Sequence, residues 1–204
     1  MKRSTLAAGL GLITLATAGI FAVNAYADAP KPKPGEVAVT LTGGHDTDKR
    51  DGGRPVALIA AALGVPDEVF RDAFSHVRPA KGGGPTGDEA RKNKHELLSR
   101  LEKHGVTNDR LDEVSNFYRY RPQNDELWKH KDAVVFATVR DGKVVGFRVA
   151  ESGYGYSSSP TLSFEGTPKI SFSGVPKVTL LFDKDLTKNG SIKSVSQAPP
   201  PDAR

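Results

Sequence analysis

AVVFATVRDGKVVGFRV, Ala133 to Val149, is the stretch where the hydrophobic period of this chain changes from helical to alternating. Two alternating apolar runs, Ala133 to Val139 and Lys143 to Val149, flank Arg140-Asp141-Gly142. Asp-Gly accepts the positive φ that tight primed turns demand, so the spacing predicts a β-hairpin. Downstream, Thr161 to Phe164, Ile170 to Phe172, Val178 to Phe182 and Ser191 to Val195 read as further short strands, and Lys188-Asn189-Gly190 marks the turn of a second hairpin. Residues 133–196 are therefore expected to form a small antiparallel β unit, followed by a Pro-rich disordered tail over 197–204.

Upstream the pattern is helical. Val56, Ile59, Ala60 and Leu63 share one face behind Pro55, and Gly64 suits the stop. Pro66-Asp67-Glu68 opens a second helix with Val69, Phe70, Ala73, Phe74 and Val77 inward. After the break KGGGPTG at Lys81, a third helix starts at Asp88-Glu89 and carries Leu97, Leu98 and Leu101, and a fourth follows Thr107 as N-cap with Leu111, Val114, Phe117 and Tyr118. The corner Leu63-Gly64-Val65-Pro66-Asp67-Glu68 is echoed by His104-Gly105-Val106-Thr107-Asn108-Asp109, so the helices form two helix-corner-helix repeats. The fold class is α+β: a helical unit of about four helices over residues 43–121, a connector over 122–132, then the β unit.

The start of the chain carries an address. Lys2 and Arg3 precede an uncharged, mostly apolar run from Leu6 to Val23, and Ala25-Tyr26-Ala27 has the small-x-small form of a secretory cleavage site. Residues 1–27 are expected to be a signal peptide cut after Ala27; a cut after Ala29 would put Pro30 next to the scissile bond, a poor extended substrate. The same run reaches the lower limit for an uncleaved membrane anchor, but its glycines, threonines and A-x-A ending favour cleavage. The product would be secreted or periplasmic, with no membrane contact after the cut. APKPKPG, from Ala29 to Gly35, reads as a solvated Pro/Lys leader extending over 28–42, although Val37, Val39 and Leu41 have strand spacing.

Composition removes several functions. A net charge of +5, dispersed along the chain, is too weak to point to nucleic acid. The absence of cysteine excludes thiolate chemistry, C-x-x-C redox activity and Cys-based metal sites. His95-Glu96 is followed by Ser99 where H-E-x-x-H needs histidine, and Ser157 to Ser159 lack a G-x-S-x-G setting. The histidines at 45, 76, 95, 104 and 130 show no ligand spacing and read as lone surface residues.

Three clusters remain. Glu151 to Gly166, ESGYGYSSSPTLSFEG, places Gly153, Gly155, Tyr156, Ser157, Pro160 and Thr161 in a G-x-G-Y-S/T-x-x-P-T pattern. It resembles a repeat of bacterial secreted and surface proteins and phage fibre-like proteins. The chain has one full copy and a partial second; the resemblance implies a β scaffold or display module, with no catalytic residues to carry over. The loop Gly43 to Gly53 sets His45, Asp46, Asp48 and Asp51 among glycines. These are candidate metal ligands, with calcium the ion considered, but Arg50 and Ala57 stand at EF-hand ligand positions, and capped turns with Asp–Arg pairs are the alternative. Finally, Arg119, Tyr120 and Arg121, with Trp128 nearby, interleave bases and aromatics that could stack on a ligand ring or simply finish a helix.

The expectation is an exported, non-enzymatic protein that binds another protein or a cell-wall polymer, without cofactor. The alternative is a small exported metal-binding protein or enzyme centred on His45, Asp46, Asp48 and Asp51.

Overall fold

The computed structural model describes residues 29–78, 86–120, 126–165 and 170–198. The signal-peptide reading, Arg121 and the end of the chain past residue 198 lie outside them. The elements run β1 (Glu36–Thr42), a 3-10 turn (Lys49–Asp51), α1 (Val56–Leu63), α2 (Asp67–Ser75), α3 (Gly87–Leu101), a 3-10 turn (Glu102–His104), α4 (Asn108–Phe117), β2 (Val134–Arg140), β3 (Lys143–Glu151), β4 (Thr161–Ser163), β5 (Ser171–Phe172), β6 (Val175–Leu181) and β7 (Ser191–Ala198). The class is α+β. Among the described residues no helix is long and apolar enough to cross a membrane.

The helices start and stop where their residues allow. Gly64 closes α1 at φ 74° and Gly105 closes the turn after α3 at φ 81°, so both echoed corners use the left-handed conformation. Thr86 and Glu89 make a reciprocal capping box on α3, and Thr107 accepts from the Arg110 amide on α4.

The first strand departs from the sequence reading. Part of the stretch expected as a leader is β1, which pairs antiparallel with β2 through Val37↔Ala137 and Val39↔Val135, and with β4 through Leu41↔Leu162. The five-stranded order is β4-β1-β2-β3-β5, so the helices are inserted between two neighbouring strands rather than placed before the β unit. The β2–β3 hairpin turns at Asp141 (φ 49°) and Gly142 (φ 74°), as Asp-Gly predicts. β5 runs parallel to β3 over Lys143↔Ser171 and Val144↔Phe172, a short exception to the antiparallel pattern. β6 and β7 form a separate antiparallel hairpin, and β7 reaches Ala198, into the segment expected as tail.

The described residues from 32 onward form one unit, within which two apolar clusters are built. One gathers Leu58, Phe70, Leu101, Leu111, Val114 and Tyr118 from the helices, and takes in Trp128 and Leu186 from the β half. The other packs Val39, Val135, Ala137 and Val144 of the sheet against Val178 and Ile192 of the hairpin, with Tyr156 and Leu162. The loop between β6 and β7 thus sits on the helices. Arg110 of α4 reinforces the seat, donating to the Ala62 carbonyl at 2.8 Å and to the Lys184 carbonyl.

At the start of β1, Glu36 accepts from Arg148 Nε (2.8 Å) and Nη2 (2.5 Å), while that guanidinium covers the Phe136 ring at 4.6 Å. The Arg148 hydrogen bonds, helped by the Lys33 amide, hold the Glu36 carboxyl down at about 2 from its ordinary 4.5. A depressed carboxylate adds stability above its unfolded pKa and loses it as the pH falls toward the folded one. Acid melts should therefore show wild type above Glu36→Gln at pH 6, the gap closing between about pH 4.5 and pH 2. A constant gap across that window would break the link.

Candidate functional site

The Gly43–Gly53 loop and the GxGY segment, distant in sequence, are bonded side by side. The Gly44 carbonyl accepts from the Ser157 and Ser158 amides at 3.0 and 3.1 Å. Ser157 Oγ donates to the Asp46 carbonyl at 2.7 Å, and the Asp46 amide donates to Ser158 Oγ at 3.1 Å. Gly44 lies directly against the Tyr156 ring, where an added Cβ would stand 2.6 Å from Cδ1. Pro160 touches the same glycine, and Thr161 begins β4 opposite Thr42.

The motif glycines exist for close backbone approach. Gly155 has φ +86°, and a Cβ there would meet His130 Cβ at 2.7 Å and the Lys129 carbonyl at 2.9 Å. Gly153, also in the left-handed region, lies against the Lys131–Ala133 backbone. Tyr156 is 2% exposed and its hydroxyl accepts from the Ala133 amide at 3.0 Å, burial raising its pKa. Trp128, also 2% exposed, donates from Nε1 to the Gly155 carbonyl at 2.8 Å.

These contacts frame an aromatic cage around His45. Its ring centroid is 5.9 Å from Trp128, 5.4 Å from Tyr156 and 4.6 Å from His130. Tyr120 lies tilted against Trp128, centroids 6.2 Å apart, and sets its hydroxyl against Gly53. His45 Nε2 is buried with no hydrogen-bond partner. Burial first, and the neighbouring His130 second, push the His45 pKa below its ordinary value, so the ring is neutral at pH 7.

The loop's other carboxylates are engaged. Asp48 caps the first 3-10 turn and accepts from Arg50 Nη2 at 2.8 Å, the Arg50 hydrogen bonds holding it at about 2. Asp51, 6% exposed, takes Arg71 on both oxygens at 2.8 and 2.9 Å. Arg54 donates to the Asp51 carbonyl and lies 4.0 Å over the Phe74 ring. A cleft of about 180 Å³ opens beside them, lined by Asp46, Thr47, Asp48, Arg54, Arg71 and Ser157. Among the described residues no three His, Cys, Asp or Glu side chains are gathered closely enough to hold a metal ion.

The candidate ligand-contact set divides. Tyr120 and Trp128 belong to the cage, whereas Arg119, exposed and donating to Asn116 Oδ1 at 2.9 Å, edges a different depression. That groove of about 300 Å³ has Phe74, Val77, Leu97 and Leu111 among its lining residues, with Lys94 and Arg119 on the polar side.

Sequence reasoning missed two residues. His130 and His45 are not isolated surface histidines but neighbours in contact; their separation along the chain carries no spacing signal, though the paired glycines of the motif hinted that something must press on them. Asn189 reads as a hairpin-turn residue yet is fully buried, donating to the Leu58 carbonyl at 2.7 Å and to the Tyr118 hydroxyl at 2.9 Å. Searches of family models, curated proteins and solved structures found no match to this chain.

Proposed function

We propose that this protein is an exported, non-catalytic binding module of the cell envelope or extracellular space, and that a partner protein docks in the groove between α2, α3 and α4. The groove carries the reading: apolar residues Phe74, Val77, Leu97 and Leu111 lie beside a polar margin of Lys94, Asp112 and Arg119. Lys94 is neutralised by Asp112 at 2.7 Å, but the Arg119 guanidinium is bonded to a neutral amide and keeps its charge for a ligand. The fitting partner is a protein segment presenting an apolar side chain next to a carboxylate. The signal-like residues 1–27 support an envelope or extracellular setting.

Immobilised full chain should retain a specific protein from envelope or secreted fractions, and Arg119→Glu, a surface change, should weaken that retention about tenfold or more by reversing the charge. Equal retention by the variant, retention of wall polymer instead, or no retention at low salt would each defeat the groove. A second reading places function in the 43–54 loop; the buried, unpartnered Nε2 of His45 favours it.

A further inference from the structure

We propose that His45 and His130 form a binding site for a divalent transition-metal ion, copper(II) above zinc, independent of the groove. The first ground is an orphan: a buried imidazole nitrogen without a partner asks for a water, an ion or a role. The second is tautomer control. His130 Nδ1 lies 2.8 Å from the Trp128 carbonyl, a contact that requires the proton on Nδ1 and leaves the Nε2 lone pair free. His45 Nε2, buried and without a hydrogen-bond partner, is the second ring nitrogen in reach of the same space. His130 is thus anchored to a backbone carbonyl by one nitrogen, as metal-ligating histidines are.

Spacing and charge agree. Two imidazoles sharing one metal at ~2.0 Å stand with centroids about 5 Å apart, and these are 4.6 Å apart. Asp46 and Asp132 are the carboxylates whose fields reach His45. The cations on the neighbouring segment are drawn away: Lys129 lies over Phe117 and Lys131 pairs with Glu151 at 2.5 Å. With only two protein nitrogens, a bound ion would complete its shell with water or other donors. Imidazole donors favour copper, nickel and zinc over calcium, with copper tightest.

Trp128, the single tryptophan of the chain, is a built-in reporter 5.9 Å from His45. Untagged, chelator-treated full chain titrated with copper(II) at pH 7.5 should show saturable quenching at one equivalent, and zinc should raise the melting temperature. His130→Gln, at an exposed side chain, should keep the fold and weaken copper binding about tenfold or more. His95→Gln should leave binding intact, and calcium should do nothing. Non-saturating quenching, or equal quenching in His130→Gln, would mean adventitious surface binding and overturn the site. So would a zinc-induced rise in melting temperature that survives the loss of His130.

Discussion

Asn189→Leu should cost about 4 kcal/mol, because a side chain of similar size removes every hydrogen bond that a buried amide makes. The native Asn189 donates to the Leu58 carbonyl and the Tyr118 hydroxyl, and accepts from the Asp183 amide at 3.1 Å. The Leu58 carbonyl and the Tyr118 hydroxyl would lose a buried partner and the Asp183 amide a half-buried one, at about 1–3 kcal/mol for each buried loss before relaxation. Tyr118, 3% exposed and with its pKa raised to about 12 by burial, cannot escape by ionising. Calorimetry should show the melting temperature falling by roughly 8–16 °C. Asn189→Asp is the informative control: it keeps the shape but turns the donor into an acceptor facing the Leu58 carbonyl, so it too should be strongly destabilised. A loss below about 1 kcal/mol in both variants would mean that the β6–β7 loop is not held by this amide.

Trp128→Ala should be of similar severity, about 3–5 kcal/mol. The indole is buried between the helical cluster and the GxGY segment, so truncation leaves a cavity bounded by both halves as well as an unpaired Gly155 carbonyl. Trp128→Phe should recover much of the packing but lack the Nε1 donor, costing about 1–2 kcal/mol. Urea denaturation followed by far-ultraviolet circular dichroism separates the cases, since the variants lack the fluorophore. If Ala and Phe were equally mild, the indole would be a cover rather than a seam.

How much of this was legible in the sequence depends on the range of the interaction. The Asp141-Gly142 turn, the glycine corners at 64 and 105 and the caps at Thr86 and Thr107 are local events, decided within a few residues. The strand around Val37, Val39 and Leu41 was visible only as an alternation, because what makes it a strand is pairing with Val135 to Thr138 far along the chain. The site split in the same way. The glycine-rich loop and the GxGY motif each declared themselves. Their mutual bonding through Gly44, Asp46, Ser157 and Ser158 has no local signature. His130 and Asn189 stayed hidden because contact with a distant ring, and bonding to a distant helix, leave no local signature in a histidine or a turn asparagine. Arg119 carried a signal of another kind: its aromatic and basic neighbours suggested one stacking surface, but the backbone sends Arg119 and Tyr120 to different places.

The position of β1 has a kinetic consequence. Val37 finds Ala137 about a hundred residues later, so the sheet cannot begin to close until the whole helical insertion has been made. Folding should be limited by that long-range closure, with helices forming early and the strands late. A nascent chain stalled after α4 would hold an unpaired strand with Val37, Val39 and Leu41 uncovered, the species most exposed to aggregation or chaperone capture. A fragment ending at that point is not a smaller version of the protein but an edge waiting for its neighbour.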